Sequence, residues 1–221
     1  MTRDFYHKDL RSLEEGLYEL GAMAEEAVQA SIEALKARDF KASEEIIKND
    51  LVINKKRFDM EEQCLLLIAT QQPMAVDLRT IAAILHITSE LERIADYAEG
   101  IARINLLIGD RPLVKPLIDI PRMAAKAVEM LEKSLAAFKA RDASSARALC
   151  DEDDEVDALY DQVYRELLLL MIENPKSIEG ATYLIWAAHN IERIADRVTN
   201  IAERVVFMVT GRLEEINVSK Y

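Results

Sequence analysis

The sequence predicts an all-α protein made of two tandem, duplicated three-helix bundles, and three observations lead there. The chain holds six glycines and five prolines in 221 residues, far below the roughly 12% that is ordinary, which leaves little room for hairpins, glycine-rich phosphate loops or a many-stranded sheet. Apolar residues recur in alternating steps of three and four, the seam of a helical bundle. The chain also repeats itself. Ala34-Leu-Lys-Ala-Arg-Asp39 lines up with Ala137-Phe-Lys-Ala-Arg-Asp142, and Leu91-Glu-Arg-Ile-Ala-Asp96 with Ile191-Glu-Arg-Ile-Ala-Asp196, at offsets of 103 and 100 residues.

The first helix is expected over roughly residues 5–38, ending at Ala37-Arg-Asp39, where Asp39 is placed to cap a second helix over 41–71. Pro73 separates the second helix from a third, over roughly 74–108. Its apolar stripe runs Ile84, Ile87, Leu91, Ile94, Ala98, Ile101 and Ile108, with Asn105 as the exception. Pro112, Pro116 and Pro121 then fall close together; proline removes a helical donor and restrains the residue before it. Residues 109–120 are therefore expected to link a first bundle, 1–108, to a second, 121–221. The fourth helix is expected over about 121–141, and Asp142 caps a fifth over 143–173. Pro175 precedes a sixth over 177–209, which repeats the stripe as Leu184, Ala187, Ile191, Ile194, Val198, Ile201, Val205 and Met208. Two tandem bundles follow from this order. Trp186, the methionines and both cysteines are expected in the core.

Composition excludes several classes of function. Lys and Arg number 28 against 40 Asp and Glu, a net charge of −12, which argues against nucleic acid as a partner because phosphate-backbone binding rests on a basic patch. Half the residues are hydrophobic, too many for a disordered acidic tail. The longest apolar runs, such as Leu167 to Ile172, fall far short of the ~20 residues of a spanning helix. The opening residues show no apolar signal region. Two cysteines, Cys64 and Cys150, form no framework and fit a reducing compartment. A soluble cytoplasmic protein is expected.

The candidate chemistry lies in residues off the apolar stripes. Glu92 and Asp96 stand four apart on one helix face, as do Glu192 and Asp196. Such pairs repel each other, and a solvated face, eased by Arg93 and Arg193, is the simplest account of either pair alone. The stretch Asp151–Asp161 adds seven acids in eleven residues with no Lys or Arg; Asp153, Asp157 and Asp161 share a face there. In an antiparallel bundle that helix runs beside the one bearing Glu192 and Asp196. Carboxylates converging from two helices call for an outside counter-charge, which a divalent or trivalent metal such as magnesium, manganese or iron supplies. An acidic helix start favoured by the helix dipole is the alternative. The first-half counterpart has Asp50 and Asn54 but also Lys48, Lys55, Lys56 and Arg57, so the first site should be the poorer. His189 shares the face of Glu192 and Asp196; it is either a nitrogen ligand or a hydrogen-bonded surface histidine. No Glu-x-x-His, Ser/His/Asp order, Walker loop or zinc-finger spacing occurs. Nothing in the sequence asks for catalysis.

The duplicated Glu-Arg-Ile-Ala-Asp, the run His189-Asn-Ile-Glu-Arg-Ile-Ala-Asp-Arg-Val-Thr-Asn-Ile-Ala-Glu203 and Pro73-Met-Ala-Val-Asp-Leu-Arg79 together resemble the PhoU family over essentially the whole chain. The resemblance implies two tandem three-helix bundles, a homodimer, and repeated Glu/Asp-x-x-x-Asp motifs that carry metal ions, iron or zinc among them, in some members. On this sequence those motifs fall at Glu92 with Asp96, Glu192 with Asp196, Asp153 with Asp157, and Asp50, where Asn54 departs from a second carboxylate. Tyr97 and Arg197 stand where many relatives place a histidine. The implied role is regulatory: coupling a phosphate ABC transporter, through its ATPase subunit, to a sensor histidine kinase, repressing the phosphate-starvation response and restraining uptake. Membrane association would come only through those partners. A metal-dependent iron-handling or redox enzyme and a metal-free helical adaptor of another phosphate carrier are the alternatives.

Overall fold

A computed structural model describes residues 3–216 of the chain; residues 1–2 and 217–221 of the two expected bundles lie outside the described residues. Six long helices follow in order: α1 (Arg3–Ala37), α2 (Phe40–Gln71), α3 (Val76–Ile108), α4 (Asp119–Ala140), α5 (Ala143–Glu173) and α6 (Ile178–Thr210), the last preceded by a 3₁₀ turn at Pro175–Ser177. There is no strand among the described residues.

The repeat shows first in how helices end and begin. Arg38 and Arg141 both take the left-handed conformation, at φ 59° and 54°, closing α1 and α4. Asp39 then accepts a hydrogen bond from the Ala42 amide (2.9 Å), and Asp142 from the Ser144 and Ser145 amides (2.9 and 3.1 Å). Each aspartate satisfies amides that have no partner within the helix it starts. Ser31 and Ser134, buried at matching places in α1 and α4, donate to the Val28 and Leu131 carbonyls, both at 2.8 Å.

Each triplet of helices packs on itself. The bundles join along α3 and α6 and, less extensively, along α1 and α4. Both joints are antiparallel. Arg79 near the start of α3 donates to the Met208 carbonyl near the end of α6 (3.3 Å), and Glu14 near the start of α1 pairs with Arg141 just past the end of α4 (3.3 Å). Small residues permit the approach. A β-carbon on Gly21 would collide with Leu135 Cδ1, and one on Gly100 would stand 2.8 Å from Asn190 Nδ2. An approximate twofold relation follows, with one nearly continuous cluster of buried side chains spanning both bundles. Every residue of the two expected stripes in α3 and α6 is buried, Asn105 included.

Several expectations are corrected. α3 begins at Val76 rather than 74, because Gln72 and Ala75 take positive φ (48° and 45°) and the chain turns there. α4 begins at Asp119, so Pro121 sits in its first turn, where its missing amide costs nothing. The stretch expected to link the bundles is docked: Val114 lies against Gly180, and Lys115 pairs with Glu166. Trp186 is 49% exposed, edge-on to Tyr183, and Met74 is 81% exposed; Met60, Met123, Met130 and Met208 are in the core. Both thiols are buried, and burial pushes Cys64 and Cys150 up to about 12, so neither is reactive.

Asn105 interrupts its stripe for a structural reason. Its Nδ2 donates to the Ala34 and Asp39 carbonyls and to Ser43 Oγ (3.0, 3.2 and 3.0 Å), and its Oδ1 accepts from Arg38. It thereby ties the α1–α2 turn to α3. The matching residue of α6 is Val205. Asn105→Val should destabilise the protein by about 2–3 kcal/mol in urea unfolding, because it strands several polar groups in the interior.

Candidate functional site

Glu92 and Asp96 project from α3 toward α2, and Glu192 and Asp196 from α6 toward α5. Because α3 and α6 are antiparallel and related by the approximate twofold, the two pairs flank the seam between the bundles. Across that seam Glu90 Oε2 accepts from Asn200 Nδ2 (3.2 Å) and pairs with Arg197 Nη1 (3.4 Å). Arg193 is held above its ordinary value, first by its hydrogen bond to Tyr97, while burial works against it. Tyr97 and Arg197 thus serve as struts between the bundles.

In the first half, Asp50 from α2 is buried and joins Glu92 and Asp96. Asn54 donates to Asp50 Oδ2 at 2.7 Å, while Oδ1 is buried with no hydrogen-bond partner. Burial, then the charges of Asp96, Glu99 and Glu92, pushes the Asp50 carboxyl from 3.8 to about 6. Burial raises Glu92 and Asp96 as well, helped by Asp96 and Glu99 respectively. Counter-charge comes from Arg93 on α3 itself and, across from α2, from Arg57. Its Nε stands 3.4 Å from Glu92 and its Nη1 2.9 Å from Glu61. Of the neighbouring cations, Lys56 reaches away to Glu19 and Lys55 is exposed. Sequence reasoning noticed Arg57 only as a nearby charge; Glu61 and Glu99 it missed. The signal was present, since Arg57 is seven residues from Asp50 and three from Asn54 on one helix.

In the second half the place of Arg57 falls to Tyr160, whose ring meets His189 at 6.0 Å between centroids. Asp153 is buried at 3% exposure, and Asp157 is half-buried beside it. Glu192 is pushed from 4.5 to about 7, mostly by burial and then by Asp196, with Asp157 and Asp153 adding to it. His189 Nδ1 lies 3.3 Å from Glu192 Oε2, which is buried without a hydrogen bond. Burial and Arg193 lower the imidazole below its ordinary value, against the pull of Asp196. Arg193 pairs with Asp196 at 2.8 Å, the easing expected for a solvated face. Asp161 has left the group for Arg165 (2.8 Å). The second half therefore has a tyrosine at the place of the guanidinium that pairs with Glu92 in the first.

The donor set of the second half, four carboxylates with an imidazole beside them, suits a hard or borderline cation. The first half suits one poorly, because a guanidinium already sits on Glu92. Among the described residues no three His, Cys, Asp or Glu side chains are gathered so as to hold a metal ion, so loading would require the side chains to move together.

Comparison with known proteins places the chain. The family model described as the PhoU domain matches it twice, over residues 17–104 and 120–205. The phosphate-specific transport system accessory protein PhoU homolog of Clostridium acetobutylicum is 36% identical over 221 residues, covering 98% of this chain and all of the relative. That of Aquifex aeolicus is 36% identical over 206 residues, 93% of each chain. Crystal structures of PhoU from Pseudomonas aeruginosa and of the phosphate transport system regulatory protein PhoU from Streptococcus pneumoniae superpose with TM-scores of 0.89 each, at 30% identity. They cover 94% and 95% of this chain and 100% and 99% of their own.

The raised Glu192 carboxyl gives a pH dependence with a definite sign. The folded state holds its proton up to about 7 and the unfolded state only to about 4.5, so with chelator present stability should fall as pH rises between those values. The loss should be about 2 kcal/mol after allowance for partial exposure. Glu192→Gln should flatten that slope in urea unfolding series from pH 4.5 to 8, values that bracket the shift.

Proposed function

The chain belongs to the PhoU family, and on that premise we propose that it regulates phosphate homeostasis as a non-catalytic accessory protein of a phosphate transport system. It couples a phosphate ABC transporter, through the ATPase subunit, to a sensor histidine kinase, holding the starvation response off and restraining uptake when phosphate is plentiful. The observation that carries this reading is coverage: both repeats match the family, and relatives named as phosphate-specific transport accessory proteins span nearly the whole chain. No helix among the described residues is long and apolar enough to cross a membrane, which suits a cytoplasmic homodimer recruited through its partners.

A di- or trivalent metal, of which iron, zinc, manganese and magnesium are the candidates, belongs to this proposal at the second-half cluster. Asp153, Asp157, Glu192 and Asp196 would hold it, with His189 as a nitrogen donor. The ion would supply positive charge that offsets the carboxylate repulsion now stored there. Asp50, Glu92 and Asp96 would take it more weakly, since Arg57 already neutralises part of that cluster. One observation favours the metal-free adaptor reading instead: no ligand set is gathered among the described residues. Metal analysis of protein purified without chelator separates the two.

Two outcomes are expected. Deleting the gene should leave starvation genes switched on in phosphate-rich medium, read with a starvation-promoter reporter; normal repression would sink the regulatory reading. Added Mn²⁺, Fe²⁺ or Zn²⁺ at a hundred times its Kd should raise the unfolding temperature by about 5–10 °C. Asp157→Asn with Glu192→Gln should abolish that rise, and Asp50→Asn with Glu92→Gln should leave most of it. If wild type shows no rise, the cluster is a solvated surface.

A further inference from the structure

The outer face of α2 carries an apolar stripe that no other helix covers among the described residues, though the Arg57 guanidinium lies over the Phe58 ring at 3.8 Å. Leu51, Phe58 and Leu65 recur every seven residues and are 71%, 57% and 58% exposed. The repeat does not demand this, because the matching places on α5 hold Asp154, Asp161 and Leu168. Between the three apolar residues stand Lys55 and Glu62, both exposed. At about 100° per residue all five fall within an arc of about 80°. Lys55 and Glu62 have no ion-pair partner among the described residues, whereas Lys56 and Arg57 beside them are committed to Glu19 and Glu61.

The order Leu51, Lys55, Phe58, Glu62, Leu65 is symmetric in size about Phe58 and, to within one residue or about 1.5 Å of rise, complementary in charge. Laid antiparallel on a copy of itself, the stripe sets Leu51 against the second copy's Leu65, Phe58 against its Phe58, and Lys55 against its Glu62, each contact made twice. Self-complementarity of this kind is what an isologous twofold interface requires. Charge adds a second reason. The chain carries a net −12, so copies repel through most of their surface, whereas Lys41, Lys48, Lys55, Lys56 and Arg57 bring α2 close to neutral against its six Asp and Glu. We propose that this face of α2 is the homodimer interface, with a second copy of the chain docked antiparallel across Phe58. The proposal rests on, and deepens, the homodimer reading given above.

Charge reversal with compensation tests it on the purified full chain by sedimentation equilibrium. Wild type should dimerise. Lys55→Glu and Glu62→Lys should each weaken the dimer by roughly tenfold or more, because each reversal creates two like-charged contacts. Lys55→Glu combined with Glu62→Lys should recover affinity to within about threefold, the swapped charges again being opposed. Phe58→Asp should leave monomers. Unchanged melting temperatures would certify the fold of each surface variant. A wild type that is dimeric but indifferent to these variants would keep the homodimer and overturn this interface. Failure of the double variant to recover would also overturn it. A monomeric wild type would overturn both readings. If Phe58→Asp then lost binding to the purified transporter ATPase subunit, the stripe would belong to that partner.

Discussion

The antiparallel contact of α3 with α6 is the constraint on which the rest of the molecule depends. Both helices bury a full stripe of Ile, Leu, Val and Ala along their length, and each large buried side chain contributes about 1.5–3 kcal/mol relative to exposure. A stripe repeated in steps of three and four occupies only one side of a helix. The neighbouring side is left to Glu92 and Asp96 in α3 and to Glu192 and Asp196 in α6. Because the same stripe serves both helices, packing them antiparallel sets the two acidic pairs on either side of one seam. Glu90, Arg197, Asn200, Tyr97 and Arg193 then hold that seam together above the apolar layer.

The carboxylates are half-buried by the same packing, and this gives them their chemistry. α2 and α5 close over the flanks of α3 and α6, taking Asp50 and Asp153 out of water. Burial disfavours the charged form, and each added carboxylate disfavours it further. The protein has met that cost differently in its two halves. In the first, Arg57 lies on Glu92 and Asn54 donates to Asp50. In the second, Tyr160 and Asp157 take those places, and Glu192 answers by holding its proton to about 7. Duplication supplied the same frame twice, and side-chain divergence on α2 and α5 made the two clusters electrostatically unlike.

The same divergence separates other features of the halves. Asn105 binds the α1–α2 turn through its amide, while Val205 leaves the corresponding turn to the Asp142 cap and the core. The groove between α4 and α5 is laced by Lys126 and Lys133 with Glu152. Both grooves hold a cavity, of about 390 Å³ between α4 and α5 and about 300 Å³ between α1 and α2, but the second has Met23 and Ala30 at the places of the two lysines, beside Glu26, Asn49 and Asp50. On the outer face, Leu51 and Phe58 of α2 stand where α5 has Asp154 and Asp161.

What the sequence determined by itself was everything local and periodic: six helices, their breaks, the duplication, the capping aspartates and the acidic pairs. Each follows from spacing along the chain, because caps, proline breaks and apolar stripes act within a turn or two of helix. The family resemblance could be read at the same level, from motifs a few residues long. Tertiary structure decided what depends on residues far apart. It showed that Asn105 is a buried polar anchor rather than a gap in the stripe, that Trp186 and Met74 face outward, and that the linker is docked. Above all, it chose which of Lys55, Lys56 and Arg57 enters the first cluster. Consecutive helix positions point about 100° apart, so three adjacent cations that look alike in sequence meet three different environments once α2 is laid against α3.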